Sequence, residues 1–334
     1  MLYLHIGTHK TGTSALQTFM ALRIEALKKK GVRYISAGMG AGRQHHAYAW
    51  SLRGDEGYSL DIWDAMRREL AEEHYPMDVL SSEAFWFSDP ALVKEQVAGI
   101  DDVRVVIYLR RQDKYLQSLY KQTVVGGRKL DFDDWCGKFH FRGDYLSVIR
   151  QWAAVFGPRA LILRPYERDG ATVNSIADFF SVLGVDVEEE LRARGEKMRN
   201  PSPRRELLDY IRALNHIGLE FNRDKFFWAL VRRSDTYVRS ADILDRAQSA
   251  AVMAGFAESN RILSEEFYRD PSAPLFPEPG DAPPPVIWQP GDKEYFGMTI
   301  DFLDVLIRAV ADGEIKVKKP RKKEPEKAKI DTDM

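Results

Sequence analysis

A glycine-rich loop near the N-terminus has the composition of a phosphate-binding loop. The sequence GTHKTGTS, residues 7–14, follows a short apolar run and precedes a helical pattern. Glycines permit a tight turn in which several backbone N–H groups and the positive end of a helix dipole point at one anion. Lys10 adds a positive charge, and Thr11, Thr13 and Ser14 add hydroxyls. The loop therefore predicts a site for a ligand that carries phosphate.

This loop differs at one position from the ATP-binding pattern G-x-x-x-x-G-K-[ST]. Gly7, Gly12 and Ser14 are in register with the pattern, but Thr13 occupies the lysine position and Lys10 comes three residues earlier. In P-loop nucleotide triphosphatases the late lysine contacts the terminal phosphates, and the following hydroxyl binds magnesium. The displaced lysine therefore disfavours magnesium-dependent phosphoryl transfer. A glycine-rich turn without a ligand stays open as the plainer interpretation.

A second group suited to phosphate follows a later apolar run. Arg110 comes directly after the run VRVVIYL, residues 103–109, and Ser118 lies eight residues further along. A guanidinium can bind a phosphate dianion through two N–H groups. An arginine at a strand end also commonly forms a surface ion pair, so a ligand-binding role for Arg110 requires that it share an edge of the sheet with the glycine-rich loop.

Apolar runs that alternate with helical patterns predict the elements that position these residues. The pattern predicts a three-layer, P-loop-like α/β fold with a mainly parallel sheet flanked by helices and a helical C-terminal extension. Ligands bind such sheets beyond the carboxyl ends of the strands, where the glycine-rich loop, Glu83 and Arg110 all fall. Strands are predicted at residues 2–6, 32–35, 79–82, 103–109 and 161–164; helices at 14–30, 60–73, 113–124, 172–183, 203–217, 240–268 and 299–310; and a loop at 36–58.

Composition limits the classes of protein that the chain can belong to. Its 334 residues are 44% hydrophobic and 30% charged, which is enough for a buried core, and the net charge of -1 argues against a general nucleic-acid binder. The single cysteine, Cys136, excludes an internal disulfide, favours a reducing compartment and is expected to be a packing residue. No secretory signal and no stretch of about 20 apolar residues are found, so we expect a cytoplasmic protein without a transmembrane segment.

Two segments resemble the nucleotide-binding elements of sulfotransferases that use 3′-phosphoadenosine 5′-phosphosulfate. They are HIGTHKTGTSALQ and VVIYLRRQDKYLQSLY, and the resemblance continues through GDYLSVIRQWAAVFGPRALILRPYERD and IADFFSVLGV. It is strongest to the bacterial and carbohydrate sulfotransferases and becomes weak after about residue 185. It implies one sulfotransferase-like domain over 1–312, with a donor-binding core at 1–185, a helical acceptor-side region at 186–270 and a proline-rich segment with a last helix at 271–312, then a charged, disordered tail at 313–334.

The resemblance implies roles for both phosphate-binding elements. In this family the first loop holds the 5′-phosphosulfate and the Arg/Ser pair holds the 3′-phosphate, so Arg110 and Ser118 would bind the 3′-phosphate. Lys10 would neutralise the leaving 5′-phosphate, and His9 would line the site. The bisphosphate leaves already stabilised by these groups, so no metal is expected. The 5′ oxygens would be bound by Lys10, Thr11, Gly12, Thr13 and Ser14.

An acceptor hydroxyl or amine needs a base, and Glu83 in SSEAFWF matches the glutamate that follows a strand in the carbohydrate sulfotransferases. Phe85, Trp86 and Phe87 are expected to shelter the Glu83 carboxyl and raise its pKa. Ala84 departs from the family pattern, which has a basic residue there. A helix cap or an ion pair with arginine stays open as the alternative role of Glu83.

Two adjacent histidines in RQHHAYAW provide a rival to Glu83. His46 is the alternative base or an acceptor contact, and His45 and Trp86 are further acceptor-side candidates. Paired histidines also suggest a metal, but no Cys, Asp or Glu cluster accompanies them, so no metal site is predicted.

The sequence thus predicts an enzyme that transfers a sulfuryl group from the nucleotide donor to a hydroxyl or amine. The expected acceptor is a carbohydrate or glycoconjugate, including a glycolipid head group, and no nucleic-acid partner is expected. Two alternatives stay open, a P-loop nucleotide kinase or triphosphatase and a non-catalytic nucleotide-binding module.

Overall fold

The chain forms two compact units in a computed structural model. The first unit comprises residues 1–119, 132–200 and 244–285, and the second comprises 120–131, 201–243 and 286–334. The predicted division of the chain into a donor-binding core and an acceptor-side region stays a prediction. Most of the proline-rich segment and of the C-terminal tail lies outside the described residues. The structure describes residues 1–168, 171–172, 174–189, 203–217, 219–233, 242–269, 274–276 and 290–317.

A five-stranded parallel sheet forms the centre of the first unit. Its strands are β1 (Leu2–His5), β2 (Val32–Tyr34), β3 (Met77–Ser81), β4 (Val103–Leu109) and β5 (Leu161–Pro165). Their order in the sheet is β2-β3-β1-β4-β5, and the central position of β1 places the glycine-rich loop at the middle of the carboxyl edge. All five predicted strands are present with small differences at their ends, and the predicted α/β fold with a parallel sheet flanked by helices is confirmed.

Helices connect these strands, because neighbouring parallel strands require crossover connections. Two shorter helices, Arg246–Ala254 and Ala257–Ile262, follow in the first unit, and a short antiparallel pair joins Glu167–Arg168 to Ala171–Thr172. The helices before them are α1 (Thr13–Ala21), α2 (Ile24–Lys29), α3 (His46–Arg53), α4 (Asp61–Glu72), α5 (Pro90–Gln96), α6 (Gln112–Val125), α7 (Phe132–Phe139), α8 (Tyr145–Phe156) and α9 (Ser175–Leu183).

Three predicted elements were wrong. The helix predicted over 240–268 is divided into Arg246–Ala254, Ala257–Ile262 and a π-helical turn, Leu263–Phe267. The single helix predicted over 14–30 is broken between α1 and α2, and the break lets Leu27 join the same core cluster as Phe19 and Met20. The loop predicted over 36–58 contains α3, whose Tyr48 and Ala49 are fully buried. The flanking glycines obscured this helix in the sequence, and its burial against the rest of the unit stabilises it.

Helices cover both faces of the sheet. Tyr3, Val79 and Val106 pack in one core cluster with residues of α1, α2 and α9. Side chains alternate between the faces of a strand, so Leu4 and Val105 point to the opposite face, and they too are fully buried. Both faces are therefore closed, and the strand ends are left as the accessible edge for chemistry.

The second unit is mainly helical. Its helices over Arg205–Ile217, Arg223–Val231 and Lys293–Ala311 pack through aromatic side chains, with the rings of Tyr210 and Phe302 centred 4.9 Å apart. The last helix starts earlier than the predicted residue 299. A two-stranded antiparallel pair joins Leu219–Glu220 to Lys316–Val317. Among the described helices of the chain, none is long and apolar enough to cross a membrane.

A buried carboxylate on α9 ties the helix to the neighbouring strands β4 and β5. Asp178 accepts a 2.7 Å hydrogen bond from the Tyr108 hydroxyl and a 2.9 Å bond from Arg164 Nε. Its side chain is only 8% exposed, so these bonds are shielded from water. The carboxylate therefore fixes α9, whose first residue lies beside the glycine-rich loop.

Replacement of this carboxylate should destabilise the first unit strongly. Asp178→Ala removes the acceptor of a buried charged pair, which costs about 3 kcal/mol. Tyr108→Phe removes one hydroxyl bond and should cost about 1 kcal/mol. Denaturant unfolding of the three proteins measures both effects, and equal costs for the two variants would contradict the role of the carboxylate.

Candidate functional site

The glycine-rich loop is anchored to the neighbouring strand before it turns. The pairing of β1 with β4 continues past His5, since the Ile6 N–H donates to the Val106 carbonyl at 3.1 Å. The backbone N–H and the hydroxyl of Thr8 both donate to the Tyr108 carbonyl, at 3.2 and 3.1 Å. These bonds hold the start of the loop at a set distance from the end of β4.

Two residues of the loop adopt left-handed backbone conformations. Lys10 has φ 68° and Gly12 has φ 77°. A Cβ atom at Gly12 would lie 2.6 Å from Ser175 Oγ and 3.3 Å from the Tyr166 ring, so only glycine fits there. The close approach of α9 and Tyr166 to the backbone explains why the second glycine of the motif is required.

The N-terminus of α1 presents backbone donors to the loop. The N–H groups of Ala15 and Leu16 donate to the Gly12 carbonyl, and Gly12 has no side chain that could cap the helix. Within the described hydrogen bonds, none is donated by the N–H of Thr13 or Ser14. These two donors and the helix dipole fit an anionic group.

The predicted hydroxyls of the loop differ in their availability. The Thr11 hydroxyl is buried and donates to the Thr8 carbonyl at 2.6 Å, so its proton stabilises the turn. Thr13 is buried at the first position of α1, and Ser14 is exposed. Ligand contacts from these three side chains stay a prediction.

Lys10 and Arg110 lie near each other at this edge. Burial and the positive charge of Arg110 lower the pKa of the Lys10 ammonium, whereas Glu83 raises it. Among the described contacts, no ion pair or hydrogen bond involves the Lys10 side chain. The structure therefore brings three of the predicted residues into one electrostatic cluster, and within the described part of the chain Lys10 has no hydrogen-bond or ion-pair partner there.

Arg110 is held by an acidic residue and an aromatic ring. Its Nε–H donates to Glu167 at 3.1 Å, and its guanidinium lies 5.4 Å from the centre of the Tyr166 ring. The Tyr166 ring also adjoins Gly12, so it connects the two predicted phosphate sites. Ser118 is partly buried on α6, and no contact with Arg110 is among those described.

Glu83 follows β3 at the start of a short 3-10 turn, Glu83–Phe87. Its carboxylate accepts a 3.1 Å hydrogen bond from Gln17 Nε2. Oε1 lies 3.8 Å from His9 Nδ1 and 3.9 Å from His46 Nε2. Both separations exceed a hydrogen bond, so neither histidine ring is hydrogen-bonded to the carboxylate.

The expectation of a raised pKa for Glu83 was wrong. Burial raises the pKa of the Glu83 carboxyl, but its own backbone N–H and the His46 ring lower that pKa. Gln17 and His9 act in the same direction, and the net pKa lies below the ordinary value. Burial does disfavour the charged form, but the polar groups around the carboxylate outweigh that effect. Glu83 is therefore a carboxylate at neutral pH.

The two adjacent histidines have different roles in the structure. His45 is fully buried, with Nε2 2.7 Å from the Ile35 carbonyl and Nδ1 accepting from the Ser81 N–H at 3.1 Å. Burial lowers its pKa to about 4, so the ring is neutral. The prediction that His45 contacts the acceptor is wrong, because both ring nitrogens are used inside the unit.

His46 instead faces the site. Its Nδ1 lies 2.7 Å from Ser82 Oγ, and its ring packs against Trp50 with centres 5.2 Å apart. Burial lowers the pKa of His46 although Glu83 opposes the shift, so the ring is neutral at pH 7. A neutral imidazole beside a carboxylate can take a proton, and His46 therefore keeps its place as the alternative base.

The predicted role of Trp86 was also wrong. Trp86 is only 5% exposed and packs edge-on against Tyr145, whereas the next residue, Phe87, is 46% exposed. The tight 3-10 turn directs Phe85 and Trp86 inward and Phe87 outward. Phe87 stacks on the His9 ring with centres 5.7 Å apart, and three consecutive aromatic letters gave no signal of this difference.

Sequence reasoning missed two further polar residues. Gln17 is buried in α1 and also donates to Ser81 Oγ at 3.2 Å. His5 lies 2.8 Å from the same hydroxyl through Nδ1, and burial lowers its pKa to about 4. Both residues lie within apolar stretches of the sequence, so their spacing did not indicate that they meet at the Ser81 hydroxyl near Glu83.

No metal-binding group of three or more His, Cys, Asp or Glu residues is found in the described part of the chain. Burial and the charge of Asp133 raise the pKa of the Cys136 thiol, which disfavours the nucleophilic thiolate.

Similarity to known proteins covers part of the chain. No protein-family model matches the chain. An uncharacterized protein of Archaeoglobus fulgidus is 32% identical over 213 residues, which are 60% of this chain, and this chain spans about half (53%) of that protein's length.

Three solved structures with low TM-scores are similar to parts of the chain. A sulfotransferase from Alicyclobacillus acidocaldarius has a TM-score of 0.40 and 18% identity, over 59% of this chain and 85% of that one. The sulfotransferase domain from the curacin biosynthetic pathway has a TM-score of 0.36 and 11% identity, over 59% of this chain and 78% of that one. Retinol dehydratase in complex with androsterone and the inactive cofactor PAP has a TM-score of 0.32 and 14% identity, over 81% of this chain and 82% of that one. Scores this low leave the assignment of function to the chemistry of the site.

The Gln17 hydrogen bond is expected to hold the pKa of Glu83 down. Gln17→Leu removes a donor that favours the charged carboxylate, so the Glu83 pKa should rise, as measured by an NMR pH titration of the carboxyl carbon. Gln117→Leu is the matched control, since buried Gln117 accepts from the Leu244 N–H instead. An unchanged Glu83 titration in Gln17→Leu would refute the role of this bond.

Proposed function

We propose that the protein transfers a sulfuryl group from 3′-phosphoadenosine 5′-phosphosulfate to a hydroxyl or amine of a carbohydrate or glycoconjugate. One observation carries the proposal: Lys10, which has no partner among the described residues, stands in the loop two residues before the N-terminus of α1 at Gly12, and its charge interacts with both Arg110 and the Glu83 carboxylate. An anion site directly beside a base is the arrangement that group transfer from an anionic donor requires.

The loop fits the 5′ end of such a donor. The N–H groups of Thr13 and Ser14 and the dipole of α1 would bind the 5′-phosphate. Lys10 would lie at the bridging oxygen, where negative charge develops as the bond to sulfur breaks. Contacts of His9 and Thr11 with the 5′ group belong to the same proposal.

Arg110 would hold the 3′-phosphate together with Ser118. The described bond to Glu167 uses the Nε–H, and a guanidinium has four further N–H groups on its two Nη atoms. Tyr166 supports the guanidinium and touches Gly12, so the two ends of one nucleotide would bind to a connected framework.

The proposed reaction is a displacement at sulfur. The acceptor oxygen or nitrogen forms a bond to sulfur while the bond from sulfur to the 5′-phosphate oxygen breaks. Adenosine 3′,5′-bisphosphate leaves with the electron pair, stabilised by Lys10. The acceptor proton goes to the Glu83 carboxylate, and His46 is the alternative recipient. A phosphoryl-transferring enzyme is the second candidate in principle, but Thr13 occupies the position of its late lysine.

Nucleotide binding separates these candidates. Ligands that bind the native state raise thermal stability, so adenosine 3′,5′-bisphosphate should stabilise the protein more than Mg-ATP does. Arg110→Ala should weaken binding of the bisphosphate by about ten- to a hundredfold, since a charged hydrogen-bond partner contributes about 1.5–3 kcal/mol. Binding of adenosine 5′-monophosphate, which lacks the 3′-phosphate, should weaken much less.

Arg104→Ala is the matched control for nucleotide binding, because Arg104 lies at the other end of β4 in an exposed pair with Asp102. Stronger stabilisation by Mg-ATP would overturn the proposed donor. Equal losses for both nucleotides in Arg110→Ala would refute the 3′-phosphate role.

Removal of the base should slow sulfuryl transfer without weakening the binding of the nucleotide donor. Glu83→Gln preserves shape but cannot take a proton, so the transfer rate should fall by about 10²–10⁴-fold while bisphosphate binding persists. The lowered pKa of Glu83 also predicts a rate that is constant through neutral pH and falls only under acidic conditions, as Glu83 protonates.

His46→Asn tests the alternative base in the same assay. A larger loss in His46→Asn than in Glu83→Gln would assign the proton transfer to the histidine. Unchanged rates in both variants would refute both assignments. Bisphosphate binding without transfer to any sugar, lipid or peptide acceptor would favour a non-catalytic module.

A further inference from the structure

An exposed aromatic and cationic surface borders the candidate base. We call it the Phe87–Arg142 shelf, formed by the side chains of Phe87, Phe141 and Arg142. The Arg142 guanidinium lies 5.6 Å from the centre of the Phe87 ring and 6.0 Å from that of Phe141. Phe87 is 46% exposed and Phe141 is 59% exposed. Two large aromatic rings open to solvent around one guanidinium are unusual for a surface without a ligand.

The shelf is continuous with Glu83. Phe87 ends the 3-10 turn that Glu83 begins, and its ring stacks on His9 at an interplanar angle of 28°. His9 in turn lies 3.8 Å from the Glu83 carboxylate. A molecule that rests on the shelf therefore lies beside the group that would take the acceptor proton.

The backbone beneath Arg142 is closely packed. Arg142 belongs to the short 3-10 turn His140–Gly143, and Gly143 is buried, so that a Cβ there would lie 2.7 Å from the Phe256 ring. The following helix starts at Tyr145, whose hydroxyl donates to the Arg110 carbonyl at 2.9 Å. The turn that carries the guanidinium is therefore held by close packing, and the helix that follows it is hydrogen-bonded to the backbone of Arg110.

Apart from its two ring contacts, the Arg142 guanidinium makes no polar interaction with the described residues. Within the described part of the chain, no carboxylate pairs with its guanidinium and no hydrogen bond involves it. Its positive charge acts on the site: burial is the main cause of the lowered pKa of His9, and Arg142 is one of the charged groups that lower it as well. A partly buried guanidinium with free N–H groups favours a ligand with a carboxylate over a neutral one, because a neutral ligand would cover it without replacing its hydration.

We propose that the Phe87–Arg142 shelf is the acceptor subsite and binds a sugar ring that carries a carboxylate, as in a uronic acid. This inference rests on the proposed function. The ring's apolar C–H face packs against the solvent-exposed parts of Phe87 and Phe141, and the carboxylate pairs with Arg142 through two N–H groups. A hydroxyl of the same sugar then faces Glu83. The shelf, rather than the bulk charge of the chain, selects an anionic acceptor.

A matched pair of glycosides tests this assignment directly. 4-Nitrophenyl β-D-glucuronide and 4-nitrophenyl β-D-glucoside differ by a carboxylate against a hydroxymethyl group. Their binding to the full-length protein saturated with adenosine 3′,5′-bisphosphate is measured by NMR titration. The glucuronide should bind about tenfold more tightly or better, as expected for a charge-assisted pair.

Variants of the shelf assign the preference to its two parts. Arg142→Gln should abolish the preference for the glucuronide, and Arg142→Lys should retain part of it, because lysine keeps the charge but loses the planar fork. Phe87→Leu should weaken both glycosides to a similar degree. Arg150→Gln is the control for net charge, since Arg150 is an exposed arginine on α8.

Three results would overturn the inference: equal or undetectable binding of the two glycosides, a preference that survives in Arg142→Gln, or a loss of bisphosphate affinity in that variant. Failure of the proposed function has a different signature. In that case the glucuronide preference still depends on Arg142, but no acceptor receives a sulfuryl group.

Discussion

The hydrogen bonds that continue from β1 into the glycine-rich loop are the constraint on which the site depends. Thr8 donates twice to the Tyr108 carbonyl, so the loop cannot move independently of the end of β4. Arg110 follows that strand, and Tyr166 is bonded through its N–H to the Leu109 carbonyl at 2.8 Å. Parallel pairing beyond the strand ends thereby sets the distance between two cationic groups that come from distant parts of the sequence.

Within that framework, the electrostatics of the site depend on Glu83. Its carboxylate is shielded from water, yet it stays charged because Gln17 and the backbone donate hydrogen bonds to it. The same shielding keeps His46 neutral. A charged carboxylate and a neutral imidazole, with Oε1 and Nε2 3.9 Å apart, are two groups that can accept a proton, and the charge of Lys10 interacts with the same carboxylate.

Much of the glycine-rich loop could be predicted from sequence because its features are local. A glycine that needs a positive φ, a lysine two residues before it and a helix that follows lie within one short segment, and their arrangement follows from backbone geometry. The surroundings of Glu83 could not be predicted in this way. His45 and His46 are neighbours in sequence, but one is sealed in the core and the other faces Glu83, because α3 begins between them.

The sequence by itself determined the parallel sheet and placed the glycine-rich loop and Arg110 at the carboxyl ends of its strands, since the positions and ends of strands follow from apolar runs. The strand order, which puts β1 and its loop at the centre of the sheet, came from the tertiary structure. Only the tertiary structure decided which side chains meet there. Gln17 lies below Glu83, Trp86 turns inward, and Phe87 turns outward beneath Arg142. These outcomes depend on packing between segments far apart in the chain, and burial and pairing across such distances leave no trace in local spacing.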